Sequence, residues 1–214
     1  MELDKFYGAR EKIDCRKKQR EWGLDSEDFI IGNVARLEKR KGHKFLIDAF
    51  KKVIEERKGC PLKLLIIGEG EEERNLENYV RGLNLEDKII FTGYREDVEE
   101  LMAMMDIFAL TSLREGLPRV LVQAAAVGMP SVAFNVDGVS EILKDNYNGF
   151  LVRVKDVEQL VNRIIKYIDN KDLVWLHGQN GREFIKDKWS IKDMIDKIDK
   201  IYQDLVREKM REIG

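Results

Sequence analysis

The sequence predicts an α/β protein with one doubly wound parallel sheet of six strands. Six short apolar runs alternate along the chain with segments of helical period, and most of the apolar runs end at a glycine or a polar residue. Runs of this kind are typical of parallel strands that are buried on both faces. Alternating strands and helices are joined by right-handed crossovers, which place helices on both faces of the sheet.

Each element follows from its local pattern. The predicted strands are residues 29–36, 62–68, 88–93, 107–112, 131–136 and 149–154. The predicted helices are residues 43–58, 71–83, 97–105, 119–127, 139–143, 157–168, 173–188 and 191–210. Residues 1–24 are charged and weakly patterned, so we expect an entry segment or linker with a short helix, outside the core. Residues 25–189 form the predicted domain, and residues 190–214 form a terminal helix.

Composition excludes several classes of protein. The chain has 214 residues with 38 basic and 40 acidic side chains, and a formal net charge of −2 gives no sign of a nucleic-acid partner. Its two cysteines, Cys15 and Cys60, lie far apart without metal-ligand spacing, which favours free thiols and a cytoplasmic protein. No apolar run has the length of a spanning helix, so we expect any membrane contact to be peripheral.

The stretch EGLPRVLVQAAAVGMP, residues 115–130, is the first candidate site. Glu115, Gly116 and Pro118 follow an apolar run and precede an Ala-rich helical run, which reads as strand, tight loop and helix. Backbone N–H groups and the positive end of the helix dipole favour a phosphate at such a loop. Glu115 and Gln123 are eight positions apart, so helical spacing predicts that both face one side of the helix start.

Two further loops carry candidate side chains. Arg36 at a strand exit and Lys41 just before Gly42 would place two cations on a diphosphate. Tyr94 and Arg95 follow the third strand, where they would cover the flat face of a nucleobase by stacking. The alternative for each is an ordinary solvated loop side chain in a lysine-rich protein.

The glycine-rich stretch GEGEEE, residues 68–73, is not a phosphate loop. It lacks the third glycine of the dinucleotide fingerprint, since Glu73 occupies that position, and its carboxylates would repel phosphate. The pattern GxxxxGK[ST] is absent from the chain as well. An enzyme that uses NAD is therefore disfavoured.

Together these loops closely resemble the C-terminal half of retaining, nucleotide-sugar-dependent glycosyltransferases of the GT-B fold, the glycosyl transferases group 1 type. The resemblance covers residues 29–154 and rests on R-L-(x)3-K-G, IGEGEEE, FTGYREDV, TSLREGLPRVLVQAAAVGMPSVAF, GVSEIL and NGFLV. It implies a Rossmann-like donor-binding domain. It also implies that residues 1–24 arrive from an N-terminal domain and that residues 190–214 return to it.

The resemblance assigns roles to individual residues. In that family the Arg and Lys that match Arg36 and Lys41 hold the donor diphosphate. The first acid of an E-x7-E pair, here Glu115, hydrogen-bonds the donor sugar. These three residues are the catalytic set that the resemblance implies.

It also implies how the rest of the donor is held. Backbone amides after Gly116, around Leu117, Arg119 and Val120, meet the distal phosphate. The second acid of the pair contacts the ribose hydroxyls, but Gln123 occupies that position here. An amide still accepts from one hydroxyl and donates to another, while the charge-assisted bond is lost.

The function that follows is transfer of a hexosyl group from a UDP or GDP sugar to an acceptor hydroxyl, in carbohydrate biosynthesis. We expect no cofactor and no metal, because the nucleotide sugar is a substrate. The acceptor-binding N-terminal domain is missing from this chain, so the chain alone is expected to be inactive. Two alternatives are a non-catalytic nucleotide-sugar-binding subunit that pairs with an acceptor subunit, and a sugar-nucleotide epimerase of the same fold.

Overall fold

A computed structural model describes residues 3–186 and 191–213 of the chain. Six parallel strands form one sheet, which confirms the prediction of an α/β doubly wound fold. The strands are β1 (Phe29–Val34), β2 (Leu62–Ile67), β3 (Ile89–Phe91), β4 (Ile107–Leu110), β5 (Ser131–Phe134) and β6 (Gly149–Val152).

The helices follow the predicted alternation. They are α1 (Ala9–Lys12), α2 (Cys15–Glu21), α3 (His43–Glu56), α4 (Glu73–Gly82), α5 (Val98–Ala103), α6 (Arg119–Val127), α7 (Val139–Ile142), α8 (Val157–Ile168), α9 (Lys171–Ile185) and α10 (Ile191–Ile213). Most predicted bounds agree with these to within a few residues. The last two residues of the predicted helix 173–188 lie outside the described residues.

The sheet separates two apolar cores because successive side chains of a strand point to opposite faces. Ile31 of β1 and Ala109 of β4 pack in the core that contains α3 and α8. Ile30 and Phe108, one position earlier in each strand, pack in the core that contains α5 and α6. Both faces are therefore buried, which is why the strands read as unbroken apolar runs.

The strand order β3-β2-β1-β4-β5-β6 fixes where a ligand is expected. Strand β1 lies between β2 and β4, with Ile31 paired to Leu64 on one side and to Ile107 on the other. The chain leaves β1 toward one edge of the sheet and leaves β4 toward the other. The loops after these two strands diverge, and ligands of such sheets bind in the crevice between them.

The N-terminal segment belongs to the core, so the prediction of a linker outside it was wrong. Phe6 is 1% exposed and packs with Ala9 and Leu24 in the core around α5 and α6. Local patterning missed this because α1 is only four residues long and its contacts lie about 90 residues away in sequence.

A salt-bridge cluster also attaches this segment to α5. Lys18 Nζ lies 2.6 Å from Asp97 Oδ2 and 2.7 Å from Glu100 Oε2. Hydrogen bonds to both carboxylates raise the pKa of Lys18 to about 12. The cluster fixes α2 against the start of α5.

The terminal helix α10 carries an exposed row of apolar side chains. These are Ile195, Ile198, Ile201, Tyr202, Leu205, Val206 and Met210, each at least 44% exposed. Acidic and basic residues alternate with them along the helix. Across residues 3–186 and 191–213, none of the helices is both long enough and apolar enough to cross a membrane.

Candidate functional site

The loop after β1 is held against the end of β4 by backbone contacts. Leu113 N donates to Arg40 O at 2.8 Å, and the Thr111 hydroxyl donates to Lys41 O at 3.3 Å. Gly42 has φ 66°, and a Cβ there would lie 2.2 Å from Thr111 O. Only glycine fits this approach without moving the backbone. The contact brings Lys41 to the crevice between β1 and β4.

Lys41 and Glu115, two of the predicted site residues, meet in this crevice. Lys41 Nζ lies 2.6 Å from Glu115 Oε1, although the two residues are 74 positions apart. Their side chains are only 15% and 11% exposed. A cation and a carboxylate that are largely shielded from water interact more strongly than a surface pair. The switch point of the sheet therefore carries one fixed positive and one fixed negative group.

Arg36 lies just after β1, at the start of the loop that carries Lys41. Its side chain is 78% exposed, and its Nε lies 3.2 Å from Glu38 Oε1. Glu38 also accepts a hydrogen bond from Arg40 at 2.6 Å. Exposed pairs of this kind contribute little free energy, so the Arg36 guanidinium is able to exchange Glu38 for an anionic ligand.

A cavity of about 570 Å³ opens beside Arg36, within the size range of small-molecule sites. The loops after β1, β2 and β3 form its walls, and Val120 of α6 lines it as well. The glycines of GEGEEE serve loop packing, since a Cβ on Gly68 would lie 2.1 Å from Ala35 O. Glu69 and Glu73 line the cavity. The stretch therefore contributes acidic side chains to the cavity wall, in keeping with its interpretation as an acidic loop.

The two residues predicted to stack on a nucleobase differ in the structure. Tyr94 is exposed, whereas Asp97 holds the Arg95 guanidinium in place. The Tyr94 side chain lines the cavity and is 66% exposed. Arg95 donates two hydrogen bonds to Asp97, both of 2.8 Å, and its guanidinium lies 5.4 Å from the ring centre of Trp22. Arg95 therefore lines the cavity as part of a fixed wall.

The start of α6 presents donors toward the crevice. Pro118 precedes the helix, and Leu121 N bonds back to Pro118 O at 2.9 Å. Among the described residues, no backbone carbonyl accepts from Leu117 N, Arg119 N or Val120 N. Unpaired N–H groups at the positive end of a helix are suited to bind an anion.

A second loop supports the one that carries Glu115. Gly138, at the start of α7, has φ 77°, and a Cβ there would lie 1.6 Å from Gly116 O. The β5–α7 loop therefore packs directly on the loop before α6. This contact joins residues 22 positions apart, so the local sequence pattern gave no sign of it.

Helix α6 begins at Arg119 as predicted, and Glu115 lies in the loop before it, so helical spacing does not describe the whole interval from Glu115 to Gln123. Gln123 lies on α6 and is half-buried, and its side chain makes no hydrogen bond in the described part of the chain. Pro118 directly precedes the helix, where its fixed φ and missing N–H suit a helix start.

The sequence analysis did not single out His43, which lies beside Lys41. His43 is 2% exposed, and neither ring nitrogen has a hydrogen-bond partner among the described residues. Burial, together with the charge of Lys41, lowers the pKa of His43 to about 4. The imidazole is therefore neutral at pH 7. The signal in the sequence was its position at the first residue of a helix directly after Lys41 and Gly42.

We expect His43 to make stability depend on pH. Its folded pKa of about 4 lies below the unfolded value of 6.5, so the unfolded chain binds more protons between these values and stability falls as pH falls. From pH 7 to pH 5 this amounts to about 2 kcal/mol. Urea unfolding of the unmodified chain and of His43→Leu at both pH values measures it. Between pH 7 and pH 5, His43→Leu should lose about 2 kcal/mol less stability than the unmodified chain, since His177 contributes equally to the two proteins. Equal losses of stability would show that His43 titrates normally.

Within the described ranges, no group of three or more His, Cys, Asp or Glu side chains is arranged to hold a metal ion. The site consists instead of Lys41, Glu115 and Arg36, the start of α6 and the adjacent cavity. A doubly wound sheet with cations and helix N–H groups at its switch point defines a nucleotide- or phosphate-binding α/β protein.

The chain belongs to the family described as glycosyl transferases group 1, whose profile matches residues 14–184. It is 30% identical over 210 residues to the UDP-Gal:alpha-D-GlcNAc-diphosphoundecaprenol alpha-1,3-galactosyltransferase of Escherichia coli, with 98% of the chain and 54% of that protein covered. The chain thus spans about half the length of the curated relatives that it matches. The resemblance found in the sequence is confirmed.

Solved structures agree with this assignment. HepE from Anabaena, in complex with UDP and glucose, superposes with a TM-score of 0.81 at 26% identity, over 89% of this chain and 52% of HepE. The C-terminal domain of LpcC, a glycosyl transferase group 1 family protein from Francisella tularensis, has the same fold. Its TM-score is 0.78 at 24% identity, over 89% of this chain and 99% of that domain.

Proposed function

We propose that the whole protein transfers a hexosyl group from a nucleoside diphosphate sugar to an acceptor hydroxyl, with retention at the anomeric carbon. This chain would supply the donor site. The observation that carries the proposal is the shielded pair of Lys41 and Glu115 at the switch point, 2.6 Å apart. A cavity of about 570 Å³, lined by Arg36, Tyr94 and Val120, opens at the same ends of the strands. Glycosyltransferase relatives and neighbours make sugar transfer the class of reaction that this site supports.

The donor diphosphate lies, in this proposal, between Lys41, Arg36 and the start of α6. The N–H groups of Leu117, Arg119 and Val120 point toward the distal phosphate. When the bond from the sugar to this phosphate breaks, negative charge grows on the leaving oxygen. Two cations and the helix dipole then stabilise the leaving group more than the intact donor, which is the condition for catalysis.

Glu115 and Gln123 hold the sugar and the ribose in this scheme. Glu115 accepts hydrogen bonds from sugar hydroxyls while Lys41 fixes its orientation. Gln123 meets the ribose with an uncharged amide, so this contact is weaker than one made by a carboxylate. Tyr94, exposed at the cavity wall, stacks on the nucleobase.

Two similar proteins support UDP as the nucleotide. The Escherichia coli relative is named for UDP-Gal, and the HepE structure contains UDP together with glucose. We therefore infer a UDP sugar as the donor of the whole protein, with GDP as the alternative that direct titration distinguishes. In the proposal, acceptor specificity lies mostly in the half of the protein that this chain does not span.

The exposed apolar row of α10 supports a second domain as the partner. Ile195, Ile198, Tyr202 and Leu205 repeat at intervals of three and four residues, so they share one helix face. An apolar face of this length is costly to leave in water. In the proposal this face packs on the N-terminal acceptor-binding domain, which accounts for the half of the relatives' length that this chain does not span.

Sugar transfer by the chain alone and by the chain joined to an acceptor-binding half tests the proposal. We expect the chain alone to turn over far more slowly than about 1 per second, the rate of an ordinary enzyme. Joined to the N-terminal half of the Escherichia coli relative, it should release UDP in the presence of acceptor and form a product with the donor's anomeric configuration. Inversion in that product would refute the retaining mechanism, and rapid transfer by the chain alone would refute its role as a half-site.

A further inference from the structure

A second cavity, of about 270 Å³, lies at the opposite edge of the sheet from Lys41 and Glu115. It lies where β1 and β4 begin, because Phe29 and Asp106 line it, and α1 and α9 form its sides. Its charged and aromatic lining consists of Arg10, Glu11, Asp106, Lys171, Trp175 and Arg182. The donor site proposed above uses none of these residues.

Arg10 is the unusual member of this lining. One Nη atom donates to the carbonyl of Met105, and the Nε atom is fully buried without an acceptor. Within residues 3–186 and 191–213, no carboxylate lies within 4 Å of its guanidinium, and Asp106 interacts with it only from farther away. Charged groups that are withdrawn from water are ordinarily paired, so this cation leaves a place for an anion.

Two more cations reach the cavity from α9. The Lys171 side chain makes no hydrogen bond or ion pair within 4 Å in the part of the chain that the structure describes, although its charge interacts with that of Asp106 from farther away. Arg182 donates to Val127 O at 3.1 Å and lies 3.2 Å from Glu11 Oε1, while its Nε is buried without an acceptor.

The charges of the cavity do not balance. Asp106 already accepts a hydrogen bond from Ile30 N at 2.7 Å, and Glu11 is paired with Arg182. Three cations thus face two carboxylates, and one positive charge is left over at the cavity. That surplus lies closest to Lys171 and Arg10, the two cations without an ion-pair partner in the described residues.

We propose that this cavity binds the phosphate group of a small phosphate monoester. Guanidinium groups match the tetrahedral oxygens of a phosphate with paired donors, and a lysine adds a point charge. The cavity of about 270 Å³ is many times the space that one water molecule needs, so a bare phosphate would leave room for an organic part. Trp175, 67% exposed at the rim, offers that part an apolar face.

Such a ligand would contact α1 and α9 together without competing for the donor site. Arg10 lies on α1, whereas Lys171 and Arg182 lie on α9. Gly128 leaves space for the Arg182 guanidinium, since a Cβ on Gly128 would lie 3.2 Å from Arg182 Nη2. The inference therefore goes beyond sugar transfer and stands independently of it.

Isothermal titration of the chain with inorganic phosphate and with glycerol 3-phosphate tests the proposal. We expect saturable binding of both, with the ester tighter, and a loss of about tenfold or more in Lys171→Gln, the size of one charge-assisted contact. Lys58→Gln is the matched control, because Lys58 is exposed in the loop before β2 on the same edge of the sheet. Arg182→Gln should weaken binding as well, and thermal unfolding checks that each variant is folded.

Lys41→Ala separates this site from the donor site, which would also attract phosphate. The proposal requires that Lys41→Ala retain a saturable glycerol 3-phosphate site and that Lys171→Gln leave UDP binding unchanged. An absence of binding at millimolar concentration, or binding that Lys171→Gln leaves intact, would overturn it. If Lys41→Ala abolished binding, the phosphate would be assigned to the donor site instead. If glycerol 3-phosphate bound no more tightly than inorganic phosphate, the claim that the cavity also holds the organic part of the ligand would be refuted.

Discussion

Gly138→Ala is expected to destabilise the chain by about 3 kcal/mol and to abolish nucleotide binding. The residue has φ 77°, and a new Cβ would lie 1.6 Å from Gly116 O and 3.5 Å from Leu117 Cα. A left-handed conformation costs a residue with a side chain about 1 to 3 kcal/mol, and forced overpacking adds a similar amount. The loop that moves carries Glu115 and the N–H groups before α6.

Urea unfolding and titration with UDP measure the two effects of Gly138→Ala. Gly82→Ala in α4 is the control, because nothing lies within 4 Å of the added Cβ and its φ is not left-handed. This control should be at least as stable as the unmodified chain, since alanine favours a helix. If Gly138→Ala unfolded at the same urea concentration and bound UDP normally, then loop packing would not be what positions Glu115.

The second large effect is expected from separating the two members of the shielded ion pair. Lys41→Met should weaken UDP binding by roughly tenfold to a hundredfold, the value of a hydrogen bond to a charged group in a shielded site. Glu115→Gln should change UDP affinity less than about threefold but weaken UDP-glucose binding about tenfold. The reason is that Lys41 meets the diphosphate, whereas Glu115 meets the sugar.

Isothermal titration of both variants with UDP and UDP-glucose measures this difference. Lys39→Met is the matched control, since Lys39 is exposed in the same loop and loses the same charge. It should bind both ligands within about twofold of the unmodified chain, because exposed charges contribute little. If Glu115→Gln weakened UDP and UDP-glucose equally, Glu115 would have no specific contact with the sugar.

The sheet was predictable because its elements have strong local signals. The apolar run LKLLII gives β2, and the pattern around Phe45, Leu46 and Phe50 gives α3. A parallel strand that is buried on both faces shows its burial in its own residues. The strand order is a property of the topology and is not visible in individual residues. It locates the switch point of the sheet.

The parts that could not be predicted depend on contacts between distant segments. Phe6 packs in the core through partners about 100 residues later, so a local pattern gave no signal. The approach of Gly138 to Gly116 joins two loops, and the 2.6 Å contact between Lys41 and Glu115 joins two more. The spacing argument over residues 115–123 applied helical geometry to a segment whose first four residues precede α6.

The types of side chain at the candidate site were predictable from the sequence, but their arrangement in space was not. Arg36, Lys41 and Glu115 were identified from loop position and resemblance. The structure pairs Lys41 with Glu115, whereas Arg36 lies against Glu38 and lines the larger cavity. Arg95 lines that cavity too, and Asp97 engages its guanidinium. The burial of His43 was not predictable, because a histidine at a helix start looks like any other until its neighbours are known.

Titration of the unmodified chain with UDP, GDP and ADP tests the central claim most directly. The account predicts that UDP binds in preference to the other two and that binding is lost when Arg36→Ala and Lys41→Ala are combined. No binding of any diphosphate at millimolar concentration, or binding that survives removal of both cations, would contradict the assignment of the crevice as a donor site.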